Sequence, residues 1–206
     1  MEIKLNKVGH RFHSEILFKN LDYSFISGKS YVILGHNGSG KSTLLRVISN
    51  YLTPTRGEVI YNDDTATPIP SEMLLHRISY VAPYIELIEE LTSAELLTFY
   101  QKLNSSCRID KATFFEDIQF SKKNINKQVK LFSSGMKQRM KLALLFHTES
   151  PIWLLDEPVS NLDEDWTEWY RQKVTASPDR LIIIASNDKR EYDFCNHTLR
   201  ISDYVS

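Results

Sequence analysis

Cysteine is almost absent from this 206-residue chain. The two present, Cys107 and Cys195, can neither build a disulfide framework nor share metal-ligand spacing with a histidine. Two reduced thiols are the expected state. A charge surplus is absent as well: 25 basic residues oppose 26 acidic ones, leaving a net charge of −1. No basic stretch marks a surface that follows a nucleic-acid backbone, which argues against a nucleic-acid partner. No apolar run approaches the ~20 residues that a membrane-spanning helix needs. The opening, Met1-Glu2-Ile3-Lys4-Leu5-Asn6, lacks the apolar stretch of a secretory signal. Repeats, low-complexity tracts and flexible linkers are missing too. The expectation is a soluble, cytosolic protein, held to any membrane it serves by something else.

What is there reads as an ordinary globular chain, 42% apolar and 25% charged. Residues 2–8 alternate, with Ile3, Leu5 and Lys7 set against Lys4, Asn6 and Val8, as in a half-exposed strand. Further strands are predicted over 16–25, at Tyr31-Val32-Ile33-Leu34, over 57–61 and over 78–81, with a helix over 42–50. Residues ~86–146 are helical in pattern: Thr92-Ser93-Ala94-Glu95 has capping-box spacing, and further helices are predicted near 110–118 and over 134–147. Strands resume at 152–155 and 181–185 with a helix between them. The pattern is α/β, a three-layer core carrying a helical insert. The last strand is expected to end near Asp203, and no additional regulatory domain is expected after it.

Gly35-His36-Asn37-Gly38-Ser39-Gly40-Lys41-Ser42 matches G-x-x-x-x-G-K-[ST] in full. Glycines let the backbone curl with its amides inward around a phosphate. The helix that follows adds its positive N-terminal end. Lys41 is placed to reach the β- and γ-phosphates, and the Ser42 hydroxyl to ligate Mg²⁺. At ordinary residue usage, chance puts this pattern in about one chain in a hundred. Here it also follows a buried-type strand and opens a helix. It points to a nucleoside triphosphate. Downstream, Ile152-Trp153-Leu154-Leu155 runs into Asp156-Glu157. A buried parallel strand delivers its next residues to the ligand-binding edge of a sheet. Asp156 then suits a metal, and Glu157 suits a general base that polarises the attacking water. Taken alone, the same residues would also suit a solvated acidic turn.

A third segment, Leu131-Phe132-Ser133-Ser134-Gly135-Met136-Lys137-Gln138-Arg139, lies between these two. By itself it reads as a small-residue helix cap. In this company it resembles the signature of the ABC ATPases, the nucleotide-binding subunits of ATP-binding-cassette transporters. Ser134 stands for the usual first glycine and Met136 for the usual glutamine. The likeness covers nearly the whole chain. It implies a P-loop NTPase of ABC type: a core sheet, an antiparallel β subdomain and an inserted helical subdomain, within one domain over 1–206 with the insert at about 86–146. It implies ATP and Mg²⁺ as cofactors, with ATP held by Phe12 (stacking on adenine) and by the loop from Gly35 through Ser42 and Thr43. Phe12 could equally be a core aromatic at a strand end. Two cassettes are expected to pack head to tail, as a homo- or heterodimer. Ser133, Ser134, Gly135 and Met136 of one would contact the ATP of the other, and Ser160-Asn161-Leu162-Asp163 would be the interface D-loop.

The implied activity is ATP hydrolysis with Glu157, Lys41 and Asn187 as catalytic residues and Ser42 and Asp156 at the metal. It would drive a separate membrane-spanning subunit from the cytoplasmic face. Two residues depart from the family pattern. Pro83 stands where a glutamine is usual, and Asn187 where a histidine is usual. Asparagine can hydrogen-bond a phosphate oxygen but carries no proton or charge at neutral pH. These changes leave ATP binding intact and bear on the rate of hydrolysis and its coupling to a membrane subunit. The alternative is a weak ATPase whose ATP-driven dimerisation is itself regulatory. A cassette acting on ribosomes or DNA is disfavoured: such members carry two cassettes or a long coiled coil. P-loop kinases and GTPases lack the signature segment. In size the chain is similar to small single-cassette subunits such as the ATPase of a haem exporter. His147 and His197 are expected to be solvated or structural.

Overall fold

Residues 1–13, 15–104 and 106–205 are described by the structure, a computed structural model. Strands β1 (Glu2–Phe12) and β2 (Glu15–Ile26) pair antiparallel, and β1 also pairs with the later β4 (Arg56–Asn62), giving the order β2-β1-β4. The strand expected over 2–8 thus runs four residues further. Alternation fails at Lys7, which takes φ 48° while its N–H donates to Asp22 Oδ1 at 2.8 Å. The register against β2 slips between Leu5 and Val8. A bulge of this kind keeps the ladder but turns the next side chain to the other face. Val8 is therefore buried with Ile3 and Leu5, while Lys7 is exposed.

The second sheet is parallel. It holds β3 (Ser30–Leu34), β5 (Ile78–Val81), β6 (Ile152–Asp156), β7 (Leu181–Ala185) and β8 (His197–Arg200) in the order β5-β6-β7-β3-β8. All five residues of β6 and of β7 are buried. Both faces of the sheet are covered, which is why these strands read as continuous apolar runs. On one face Ile33, Leu154 and Ile183 pack with Leu44, Leu45 and Ile48 of α1 (Lys41–Ile48). On the other, Trp153, Leu155, Ile182 and Ile184 pack with Leu142, Leu145, Tyr170 and Val174. These come from α5 (Ser134–Phe146) and α6 (Glu164–Thr175).

Between β5 and β6 lie α2 (Ser93–Leu103), α3 (Lys111–Asp117), α4 (Lys122–Ile125) and α5. Thr92 and Glu95 make the reciprocal capping box that the sequence predicted. The block closes on its own apolar cluster, including Leu97, Phe114, Phe115, Val129 and Phe132. Helix α5 joins the two cores: Met140, Ala143 and Leu144 face the helical cluster, and Leu142, Leu145 and Phe146 face the sheet. The signature segment at its start is thereby fixed to both. The last α-helix, α7 (Lys189–Tyr192), precedes β8. β8 adds a strand beyond those predicted; it has four residues and only Leu199 is buried, too little for a periodic pattern.

Candidate nucleotide site

Three neighbouring strands end at one edge of the sheet. In register, Ile33 of β3 and Asp156 of β6 both lie against Ala185 of β7. The segments that follow them, 35–42, 156–161 and 186–188, converge there, at the carboxyl edge where ligands bind in open α/β sheets.

The loop after β3 is shaped by glycine where the backbone requires it. Gly38 and Gly40 take φ +79° and +96°, and a Cβ at Gly35 would strike the Ser39 hydroxyl and Ile201. Gly40 caps α1, so the helix opens directly on Lys41. Lys41 is 5% exposed. Its Nζ donates to the carbonyls of Gly35 at 2.7 Å and His36 at 3.2 Å, laying the ammonium across the loop. Burial lowers its pKa, and the nearby Glu157 and Asp156 oppose that shift. An open cavity of about 340 Å³ is walled by Phe12, Glu15, Leu17, Asn37, Gly38, Gly40, Lys41, Ser42, Thr43 and Glu157. Phe12 is 46% exposed on this wall, so it is not a core aromatic. Its ring meets His10 edge-on at 4.9 Å, leaving a face available.

Asp156 ends β6 at 2% exposure. Burial raises its carboxyl pKa and Glu157 adds to the rise, while the hydroxyls of Ser42 and Tyr84 and the Lys41 ammonium favour the ionised form. Its Oδ2 is buried with no hydrogen-bond partner. An unsatisfied carboxylate oxygen beside a serine hydroxyl suits a hard divalent cation, which takes oxygen ligands. Glu157 is exposed, with φ 44° and its N–H on the Ala185 carbonyl at 2.9 Å. It borders the first cavity and a second, of about 320 Å³, that also takes in Asn37, Ser160, Asn161, Leu162, Asn187 and Glu191. Asn187 Nδ2 donates to Asn37 Oδ1 at 2.9 Å across 150 positions of sequence.

Ser133, Ser134, Gly135 and Met136 line neither cavity. Ser133 caps α5, accepting from the Met136 N–H at 3.3 Å. Gly135 packs on the 160–163 segment: a Cβ there would lie 2.8 Å from the Asn161 carbonyl oxygen. Gln138 Nε2 donates to the Pro158 carbonyl at 2.6 Å. Asp163 is used as the cap of α6, accepting from Trp166 N–H at 3.0 Å. His147 pairs with Asp117 at 2.8 Å, and His197 stacks on Tyr31, both away from the loop residues.

Glu191 has no counterpart in the sequence reading, because nothing in its neighbours marks it as buried. It is 2% exposed, accepts the Val159 N–H at 2.8 Å through Oε1, and leaves Oε2 without a partner. Burial pushes its carboxyl from 4.5 up to about 7. The folded chain thus keeps a proton that the unfolded chain releases near pH 4.5. This contribution is fully present below that pH and is lost as pH rises toward 7, about 3 kcal/mol across the window. Glu191→Gln is expected to flatten the pH dependence of stability between about 5 and 7 and to raise the melting temperature at pH 8. Thermal melts of both proteins at pH 5 and pH 8 check this.

A family model described as ABC transporter matches residues 18–160. The cytochrome c biogenesis ATP-binding export protein CcmA of Paramagnetospirillum magneticum is 34% identical over 153 residues, 72% of this chain and 70% of that one. Its namesake in Brucella abortus is 32% identical over 159 residues, 77% and 71% of the two chains. Among solved structures, a putative ABC transporter ATP-binding protein from Pyrococcus furiosus aligns along the full length of both chains with a TM-score of 0.82 at 22% identity. A dimeric ATP-binding cassette in a post-hydrolysis state with ADP and Pi aligns with a TM-score of 0.81 at 22% identity, covering 97% and 94%. These two structures bear on the fold.

Proposed function

The chain belongs to the ABC transporter family as an ATP-binding, ATP-hydrolysing cassette, and on that premise we propose that it powers a separate membrane-spanning subunit by ATP-dependent pairing of two cassettes. The observation that carries the reading is the meeting of three strand ends: the phosphate loop, Asp156-Glu157, and Asn187 hydrogen-bonded to Asn37. In this reading the loop amides and Lys41 hold the phosphates, and Phe12 stacks on the base. Ser42 and Asp156 would hold Mg²⁺, which would supply charge neutralisation at the phosphates. Glu157 accepts a proton from water as that water bonds to the γ-phosphorus. The bond from phosphorus to the bridging oxygen breaks, leaving ADP and phosphate.

Pairing is favoured because Ser133–Met136 lie outside the loop cavities of their own chain, free to complete a partner's site. Among the described residues no helix is long and apolar enough to cross a membrane. A membrane subunit would therefore hold the cassette at the cytoplasmic face. The two CcmA relatives are named export proteins, which favours export as the direction. The single-domain reading of 1–206 fits the way α5 shares residues between the helical cluster and the sheet core.

One observation favours a second reading, a slow cassette whose dimerisation is regulatory: the side chain on Asn37 is a neutral amide. Turnover of the purified chain, alone and with the membrane protein that co-purifies with it, separates the two. A chain that binds MgATP and dimerises without turning it over supports the second. Asn187 itself is expected to matter modestly. A hydrogen bond from a neutral donor contributes about 0.5–1.5 kcal/mol net, so Asn187→Ala should slow turnover roughly tenfold or less. A gain in kcat on Asn187→His would identify the site as a slowed form of the usual one.

A further inference from the structure

Glu15 lines the nucleotide cavity and has no part in the reading above. It stands directly across the ladder from Phe12, its partner in the register of β1 with β2. Residues opposed in this way share a face of the sheet, their Cβ atoms about 4.5–5.5 Å apart. Leu17, two residues on, lies on the same face and also walls the cavity. Ile16 and Phe18, on the alternate positions, line a separate cavity. Leu17 rests on the phosphate loop: a Cβ at Gly40 would lie 3.3 Å from the Leu17 Cβ. A strand advances roughly 3.3 Å per residue, so Phe12 and Glu15 stand about 7 Å further along the ladder from that contact. This is the end of the cavity at which the base stacks on Phe12.

The other polar side chains of the cavity, Asn37, Lys41, Ser42, Thr43 and Glu157, belong to the phosphate loop, the start of α1 and the end of β6. At the base end Glu15 is the only polar side chain on the wall. It is exposed and enters no ion pair among the described residues. A carboxylate accepts hydrogen bonds and donates none. It therefore favours a base edge that presents N–H groups. Adenine presents its exocyclic amino group. Guanine presents N1–H and an exocyclic amino group side by side, a pair that matches the two carboxylate oxygens.

We propose that Glu15 is a specificity residue for the nucleobase: its carboxylate accepts from the amino-bearing edge of the purine stacked on Phe12, so that the cassette takes GTP at least as tightly as ATP. The inference rests on the nucleotide-site reading above and adds the choice of base to it. Glu15 lies outside residues 18–160, which the family model matches.

The test is calorimetric binding of three magnesium triphosphates to the full chain: ATP, GTP and purine riboside 5′-triphosphate, which is ATP without its amino group. A hydrogen bond to a charged acceptor accounts for a difference of about tenfold. Wild-type protein is expected to bind the purine riboside compound about tenfold more weakly than ATP, and GTP as tightly as ATP or tighter. In Glu15→Ala the three affinities should converge to within about twofold. A thermal melt checks that this variant folds, and the wild-type ratios test the proposal without it. A structural or purely electrostatic role would shift all three affinities alike and leave their ratios unchanged. Unchanged ratios in the variant overturn the proposal, as does wild-type protein that binds ATP and the purine riboside compound equally or GTP tenfold more weakly than ATP. Wild-type protein that bound none of the three would instead overturn the nucleotide-site reading, and the proposal with it.

Discussion

Glu157→Gln is expected to abolish most ATP turnover while ATP stays bound. Glu157 is exposed and borders both cavities at the phosphate loop, whereas Glu15, the other carboxylate on the wall of the first, does not border the second. Asp156, one residue earlier, is 2% exposed and lines neither cavity, so it is not placed to take a proton from water at the cavity wall. Loss of a positioned general base costs about 10²- to 10⁴-fold in rate. Glutamine keeps the size and polarity of the side chain and removes one negative charge beside the phosphates, so affinity for MgATP should hold or rise. If two cassettes close on ATP, the variant should remain closed: light scattering should give a dimer in MgATP and a monomer without it. A kcat within tenfold of wild type would remove Glu157 from the role of base. An unchanged mass in ATP at every protein concentration, with the membrane partner present, would count against cassette pairing.

Lys41→Ala is expected to lose MgATP binding by about 100-fold or more. The ammonium is 5% exposed and already sits across the loop on the Gly35 and His36 carbonyls. It is thus positioned before any phosphate arrives, and no side-chain ordering is left to do on binding. Alanine leaves the phosphate charge facing amides and the helix end alone. The fold should survive, because Leu44, Leu45 and Ile48 anchor α1 in the core independently of Lys41. Calorimetry with MgATP, beside a thermal melt, checks both halves. A variant that melts like wild type and binds MgATP equally well would move the phosphate site elsewhere.

Compared with these, the modest effect expected at Asn187 follows from chemistry rather than position. The residue stands on the loop, but it brings a neutral amide where Lys41 brings a charge and Glu157 a base.

The sequence by itself determined the features whose signal is local. The phosphate loop is legible because a backbone that wraps a phosphate needs glycines at fixed spacing. The strands β3, β6 and β7 are legible because a sheet covered on both faces needs unbroken apolar runs. The Thr92–Glu95 box is legible because a helix start must satisfy its own amides. The tertiary structure alone decided which of these meet. The crossover connections lay β7 between β3 and β6, and that order brings Asn187 onto Asn37, 150 residues away. The bulge at Lys7, the burial of Glu191 and the stacking of Arg46 on Tyr84 leave no periodic trace either. Each depends on what a residue meets from a distant segment: Asp22 for Lys7, Val159 for Glu191, Arg46 for Tyr84. Spacing along a chain records what one element needs from its own backbone, whereas contact between elements is set by packing, which no local pattern encodes.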